Sequence, residues 1–260
     1  MRTEVKSIDV GEDGRVKGVT TKDGEVIEAK EGVICNAPVW SIPSLLRRGV
    51  SAECDAWLDK LESIEMTRSY LHLHVGLDAS GLDLSSLQPH YTVFDDGMVG
   101  EGGADHVVKD RNMIALSNPC ALDPSLAPEG KIMVHSYACG NEDYAVWERM
   151  ERGTPEYEEM KRERAEPLWR AIESVIPDAR ERCEVELVGS PLTHERFLNR
   201  PRGTYGAAAE ALLPDGSTPV PGLVLAGDGV FPGIGVPSVA LSGVGAANAF
   251  VSVWEQLKAY

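Results

Sequence analysis

The sequence predicts a mixed α/β (α+β) protein, and three stretches carry that prediction. Between Pro221 and Phe250 the chain reads PGLVLAGDGVFPGIGVPSVALSGVGAANAF. There, a short apolar run (Leu223 to Ala226) breaks at Gly227-Asp228-Gly229, passes through a tight loop from Phe231 to Pro237, and continues in closely spaced Ser, Ala and Gly. Strand, glycine-rich turn and helix N-terminus in succession let backbone N–H groups approach an anion or a polar ring edge, and the helix dipole favours negative charge there. The second stretch, Val5 to Ala29, alternates apolar and polar residues around two Asp-Gly pairs. The third, Ser69 to Leu77, alternates with Leu71, Leu73, Val75 and Leu77 on one face, the period of a half-buried strand.

In chain order, Val5 to Val10 is a predicted strand and Asp13-Gly14 a turn. Arg15 to Val19 is a second strand, Asp23-Gly24 a second turn, and Glu25 to Ala29 a third strand, which makes a three-stranded meander. Gly32 to Cys35 is apolar and ends at Asn36-Ala37-Pro38. Helices are predicted over Ser41–Arg48 and Glu53–Ile64. After the strand at Ser69, Tyr91–Phe94, Asn112–Leu116 and Ile132–Ala138 continue an antiparallel sheet with one apolar face, and Asn141–Met150 reads as a helix. Gly100-Glu101-Gly102-Gly103 reads as a loop, since no strand–helix context frames it. Thr154-Pro155-Glu156 opens a further helix: an N-cap residue, proline in the first turn, then an acid near the positive end of the dipole. It runs to Ile176 with Leu168, Ile172, Val175 and Ile176 on one side. Pro167 lies inside it, and an interior proline costs about 3 kcal/mol and kinks or breaks a helix, so a break is expected there. Cys183 to Val188 is a strand.

The chain has 260 residues, 43% of them apolar, enough to bury one large or two small cores. Its 41 acidic residues against 25 basic give a net charge of -16. That balance excludes nucleic acid as the expected partner, because such binding rests on Lys and Arg neutralising phosphates. It also disfavours electrostatic docking on anionic lipid. The five cysteines are widely spaced with no C-x-x-C, the pattern of reduced thiols in a cytosolic or plastid-type compartment. No apolar run reaches the ~20 residues of a spanning helix, and Arg2-Thr3-Glu4-Val5 leads straight into a strand pattern, so neither a targeting nor a transmembrane segment is expected in this chain.

Candidate chemistry is sparse. His72 and His74 are two apart on a strand and share a face. With no third ligand evident, the expectation is a polar sheet face and no metal. His194-Glu195-Arg196 reads as a structural ion pair, with an acid–base group as the alternative. No serine–histidine or cysteine–histidine nucleophile pattern stands out, and catalytic residues remain unassigned. Asp228 ends a strand, the usual place for ligand contacts in an α/β sheet. It reads either as a ligand contact or as a turn aspartate.

Gly227-Asp228-Gly229-Val230-Phe231-Pro232-Gly233-Ile234-Gly235-Val236-Pro237 resembles the C-terminal flavin motif of the phytoene desaturase and carotenoid isomerase group of FAD enzymes. Leu192 to Phe197, with Arg202-Gly203-Thr204-Tyr205-Gly206, resembles the segment that precedes it there. The likeness runs from Val5 to Asn248 and is strongest to the carotenoid cis–trans isomerase branch. It implies a glutathione-reductase-type FAD-binding domain in which a meander interrupts the parallel sheet and Val33-Ile34-Cys35 is the returning strand. Residues 1–65 and 191–260 would be a remnant of that domain, and 66–190 an antiparallel-sheet substrate domain. The strand–G-x-G-x-x-G–helix unit that opens such domains is missing from the sequence.

The resemblance implies FAD as cofactor. It places Val5 against the adenine, Asn36 in a loop close to the cofactor, and Tyr205 at the border of the flavin cavity. Gly227, Asp228, Gly233 and Gly235 would lie along the cofactor, with Val236, Pro237 and Ser238 near the isoalloxazine pyrimidine edge. It also implies an extended apolar polyene as substrate, reached by peripheral membrane contact and isomerised or desaturated in a tunnel. The apolar strand faces between Leu71 and Ala138 are the expected lining. A flavin amine oxidase, a retinol-saturase-like reductase, and an inactive truncated paralogue or gene fragment are the other readings. The chain alone is expected to bind FAD poorly and to depend on a missing N-terminal half.

Overall fold

The computed structural model describes residues 3–94, 113–252, 254, 255 and 258. Gly100-Glu101-Gly102-Gly103 and Asn112 lie outside the described residues. The chain divides into two compact units, one of residues up to Thr67 and from Gly206 onward, the other Arg68–Tyr205.

In the first unit β1 (Val5–Val10), β2 (Val16–Thr21) and β3 (Val26–Glu28) form the antiparallel meander, with Ile8 opposite Val19 and Gly18 opposite Glu28. Its turns need glycine: Gly14 and Gly24 have φ of 73° and 86°, a region in which a Cβ is strained. β4 (Val33–Cys35) pairs in parallel with β10 (Leu223–Leu225), Val33 opposite Leu223 and Cys35 opposite Leu225. The predicted helix at Ser41–Arg48 shortens to α1 (Ile42–Leu45), because Leu46 turns extended and bridges to Ile8 of β1. α2 (Ala52–Glu62) is capped by Ser51, whose hydroxyl accepts from the Cys54 amide at 3.0 Å. It buries Cys54, Leu58 and Leu61 against Ile8, Val39, Leu223 and Leu225.

The second unit is a five-stranded antiparallel sheet in the order β6-β7-β8-β5-β9: β5 Ser69–Asp78, β6 His90–Phe94, β7 Met113–Ser117, β8 Lys131–Glu142 and β9 Cys183–Gly189. Leu71, Leu73, Val75 and Leu77 are buried, and so are Ile132 and Val134 of β8. α3 (Pro155–Glu173) covers that face with Leu168, Trp169 and Ile172, and the Ser136 hydroxyl donates to the Leu168 carbonyl at 3.2 Å. These apolar faces are therefore core and do not line a tunnel.

Two further expectations are corrected. α3 runs unbroken through Pro167. The apolar residues that follow the proline, Leu168, Trp169, Ala171 and Ile172, are all buried on the sheet, and burial worth about 1.5–3 kcal/mol per large side chain offsets the lost helical hydrogen bond. Asn141–Met150 is not a helix. β8 continues to Glu142, which pairs with Ser69, and only one 3₁₀ turn, Tyr144–Val146, follows. Glu142 is 1% exposed and accepts from Trp147 Nε1 at 2.9 Å and from Arg164, which fixes the strand end in the core.

α4 (Ala179–Arg182) and α5 (Pro191–Leu198) complete the unit. α5 begins at a capping box in which the Ser190 amide donates to the Thr193 hydroxyl at 3.2 Å. Because Leu192 packs into the sheet-and-helix core, residues 191–205 group with 68–190 rather than with the C-terminal segment.

Candidate functional site

In the first unit β4 and β10 end side by side, and the chain leaves both at one place. The Ala226 amide donates to the Cys35 carbonyl at 3.0 Å, and a Cβ on Gly227 would stand 3.7 Å from the Asn36 carbonyl oxygen. In α/β sheets ligands bind outside the carboxyl ends of the strands, and this is such an end. Gly227 has a φ of 109°, and its amide donates to the Ser242 hydroxyl at 2.9 Å. Ser242 is buried on α6 (Val236–Asn248) and itself donates to the Val239 carbonyl. The turn is thereby tied to the helix that it feeds.

The loop between them is compact. The Phe231-Pro232 peptide is cis, and the amides of Phe231 and Gly233 donate to Leu213 and Val230. Gly235 is the N-cap of α6, with a φ of 108°, no side-chain cap and open space where a Cβ would be. Val236 is 81% exposed, and the first helical turn carries no acid. An uncapped helix start with exposed backbone suits a ligand bearing negative charge.

Gly227 thus stands beside Asn36 at the end of the β4–β10 pair, with Asp228 next to it in the chain. Gly235, Val236, Pro237 and Ser238 form the start of α6, while Gly233 is buried in the loop, where a Cβ would meet Leu212 at 2.9 Å. Asp228 is half-buried, and its carboxylate lies 3.7 Å from where a Cβ on Gly206 would be. Val5 begins β1, half-buried and opposite Thr21. Tyr205 belongs to the second unit, where its ring meets Tyr70 edge-on at 4.0 Å. A hollow of about 570 Å³ is lined by Val224, Phe231, Leu241 and Gly245 among others.

The second unit carries a different cluster on the sheet face opposite α3. His72 and His74 of β5 meet His135 of β8, which lies directly across from His74. Ring centroids are 4.9 Å apart for His72–His135 and 4.0 Å for His74–His135, with planes within 10°. His72 Nδ1 is 2.6 Å from His135 Nε2. His194 of α5 stands 4.7 Å from His72, and Tyr70 and Tyr137 flank the group. Burial, followed by the neighbouring imidazoles His194, His135 and His74, pushes the His72 pKa down to about 3. Burial pushes His135 to about 4 and lowers His74 and His194. Beside them a groove of about 270 Å³ is lined by His74, Met133, Leu126, Val185 and Leu187.

His135 is the residue that spacing within one strand could not find. Its signal was the alternation Met133, His135, Tyr137, but only the β5–β8 register assigns it to the same face. The Glu195 carboxylate accepts from the Tyr144 hydroxyl at 2.7 Å and the Arg202 amide at 3.2 Å, and among the described residues no ion pair to it is found.

A family model described as flavin containing amine oxidoreductase matches residues 1–250. Chloroplastic prolycopene isomerase from Arabidopsis thaliana is 31% identical over 258 residues, which is 95% of this chain and 40% of the relative. Its counterpart from Daucus carota is 32% identical over 256 residues, 95% of this chain and 39% of the relative. A 4,4'-diapolycopene oxygenase from Methylomonas sp is 27% identical over 249 residues, 89% of this chain and 46% of the relative. The chain therefore spans about 40% of the length of the prolycopene isomerases it matches. An oxidoreductase from Methanosarcina mazei has a similar fold, with TM-score 0.53 and 19% identity over 95% of this chain and 48% of that one. A protein from Pyrococcus furiosus gives TM-score 0.55 and 20% identity over 98% and 49%. Among the described residues no helix is long and apolar enough to cross a membrane. The chain belongs to the flavin containing amine oxidoreductase family, and within it resembles the carotenoid isomerase- and desaturase-like members.

Proposed function

We propose that this chain is the C-terminal portion of an FAD-dependent enzyme that isomerises cis double bonds of a carotenoid or similar polyene. The observation that carries the reading is the crevice at the ends of β4 and β10, where Asn36 and the Gly227–Pro237 loop meet the uncapped start of α6. The residues fit a flavin: Gly235 leaves the space of a Cβ open, and the helix start is exposed. Isomerisation is preferred to desaturation because the prolycopene isomerases match at higher identity than the diapolycopene oxygenase. Their chloroplastic names support a plastid location.

When bound, FAD supplies reversible electron transfer to the conjugated chain. The protein's own residues bind and orient. Asp228 would accept hydrogen bonds from ribityl hydroxyls or order a water at the pyrophosphate. Gly235 would allow the backbone close to the ring, and the amides at Val236 and Ser238, with the α6 dipole, would stabilise negative charge at the pyrimidine edge. In the second unit the open sheet face, not the buried leucine face, is the surface for an apolar chain. Its groove of Met133, Leu126, Val185 and Leu187 supplies apolar contact.

The test is direct. Poly-cis carotenoid in lipid vesicles is incubated with the protein, FAD and a reductant, and isomers are separated by chromatography. A shift in isomer composition without consumption of oxidant supports the reading. Release of hydrogen peroxide from small amines, with no isomer shift, overturns it.

A further inference from the structure

We propose that His72, His74 and His135, all within the second unit, form a binding site for one divalent transition-metal ion of the zinc class. The ligand-bearing nitrogens of the three imidazoles all lie within 4.8 Å of one another. They come from two neighbouring strands of one sheet, with His74 opposite His135 and His72 opposite Tyr137, so the backbone ladder holds them in place. Four of the six histidines in the chain gather here once His194 is included. Buried polar groups are ordinarily paired, yet His72 Nε2 is buried with no hydrogen-bond partner among the described residues.

The donor set selects the ion. The metal-holding group contains no carboxylate, so it does not suit Mg²⁺ or Ca²⁺, which take oxygen ligands. Imidazole suits Zn²⁺, Cu²⁺, Ni²⁺ and Fe²⁺. Three histidines with an open fourth position make a known ligand set for zinc. Neutral imidazole is the form that donates a lone pair. In the metal-free state the close contact between His72 Nδ1 and His135 Nε2 is a hydrogen bond between two imidazoles. The fourth position is left to water or to His194.

The tag-free 260-residue chain, stripped with a chelator, is titrated with Zn²⁺ against a chromophoric indicator and with Co²⁺ for its visible d–d bands. The expected result is one ion per chain and an intense, four-coordinate Co²⁺ spectrum. His74→Gln and His135→Gln, checked for folding by circular dichroism, weaken Zn²⁺ binding by about a hundredfold or more, since even outer-shell losses cost 10–100-fold. His90→Gln, outside the cluster, leaves it unchanged. Absence of saturable Zn²⁺ binding by the wild-type chain overturns the proposal without any variant. Wild-type affinity in both His74→Gln and His135→Gln does so as well. Neither result depends on flavin or carotenoid, so failure here is distinct from failure of the enzymatic reading.

Discussion

Asn36 and Gly227 are neighbours across the ends of β4 and β10: a Cβ on Gly227 would stand in ordinary contact, 3.7 Å, from the Asn36 carbonyl oxygen. The two residues are 191 positions apart in sequence (227 − 36), and the parallel register Cys35–Leu225 alone brings them together. The predictions below begin with the frame that supports such contacts and end at this crevice.

Arg164→Leu destabilises the second unit. Arg164 neutralises Glu142, a carboxylate with 1% exposure in the core. Removing one partner of a buried pair leaves an uncompensated charge and costs about 3–5 kcal/mol. Chemical unfolding should show that loss, and the double change Arg164→Leu with Glu142→Met should recover most of it.

Alkaline stability depends on Tyr144. Burial, then the hydrogen bond to Glu195, raises its phenol to about 12 from the usual 10. The folded state keeps its proton where the unfolded chain has released it. The stabilisation is therefore complete below pH 10 and is lost as pH rises from 10 through 12. At this half-buried site the difference should amount to about 1–2 kcal/mol. Urea unfolding at pH 8, 10 and 11 should show a steeper decline for wild type than for Tyr144→Phe, and parallel declines contradict the assignment.

Much of this was legible in the sequence, for identifiable reasons. The Asp-Gly turns announced the meander because only glycine takes φ of 73° and 86° without strain. The strict alternation from Leu71 to Leu77 announced a sheet with one buried face. Period alone does not say which face stays open, and the apolar face that suggests a tunnel is the one that α3 covers. Pro167 misled because the cost of an interior proline is local, while the burial of Leu168 and Ile172 that offsets it is tertiary. The glycine loop of the candidate site was readable because its residues are consecutive. The imidazole cluster was not, because His135 joins it only through strand register.

FAD binding should depend on polypeptide that supplies a strand–G-x-G-x-x-G–helix unit. No such fingerprint occurs in these 260 residues, and the pyrophosphate needs that turn. In the first unit Ile34 of β4 is 48% exposed, and Leu241 and Val244 of α6 are also open. Co-expression with a segment carrying the unit should raise both solubility and flavin content over the chain alone. Equal flavin content in the two preparations contradicts this dependence.

The most direct test of the central claim, that the Gly227–Ser238 stretch holds a flavin, is FAD affinity by fluorescence quenching in wild type, Asp228→Ala and Gly235→Val, with the complementing segment present. Loss of a charged hydrogen bond costs about 1.5–3 kcal/mol, so Asp228→Ala should weaken binding roughly ten- to a hundredfold. Gly235→Val, which forces a β-branched side chain to a φ of 108° at the helix start, should weaken it at least as much. Unchanged affinity in both variants, with the fold intact, would contradict the account.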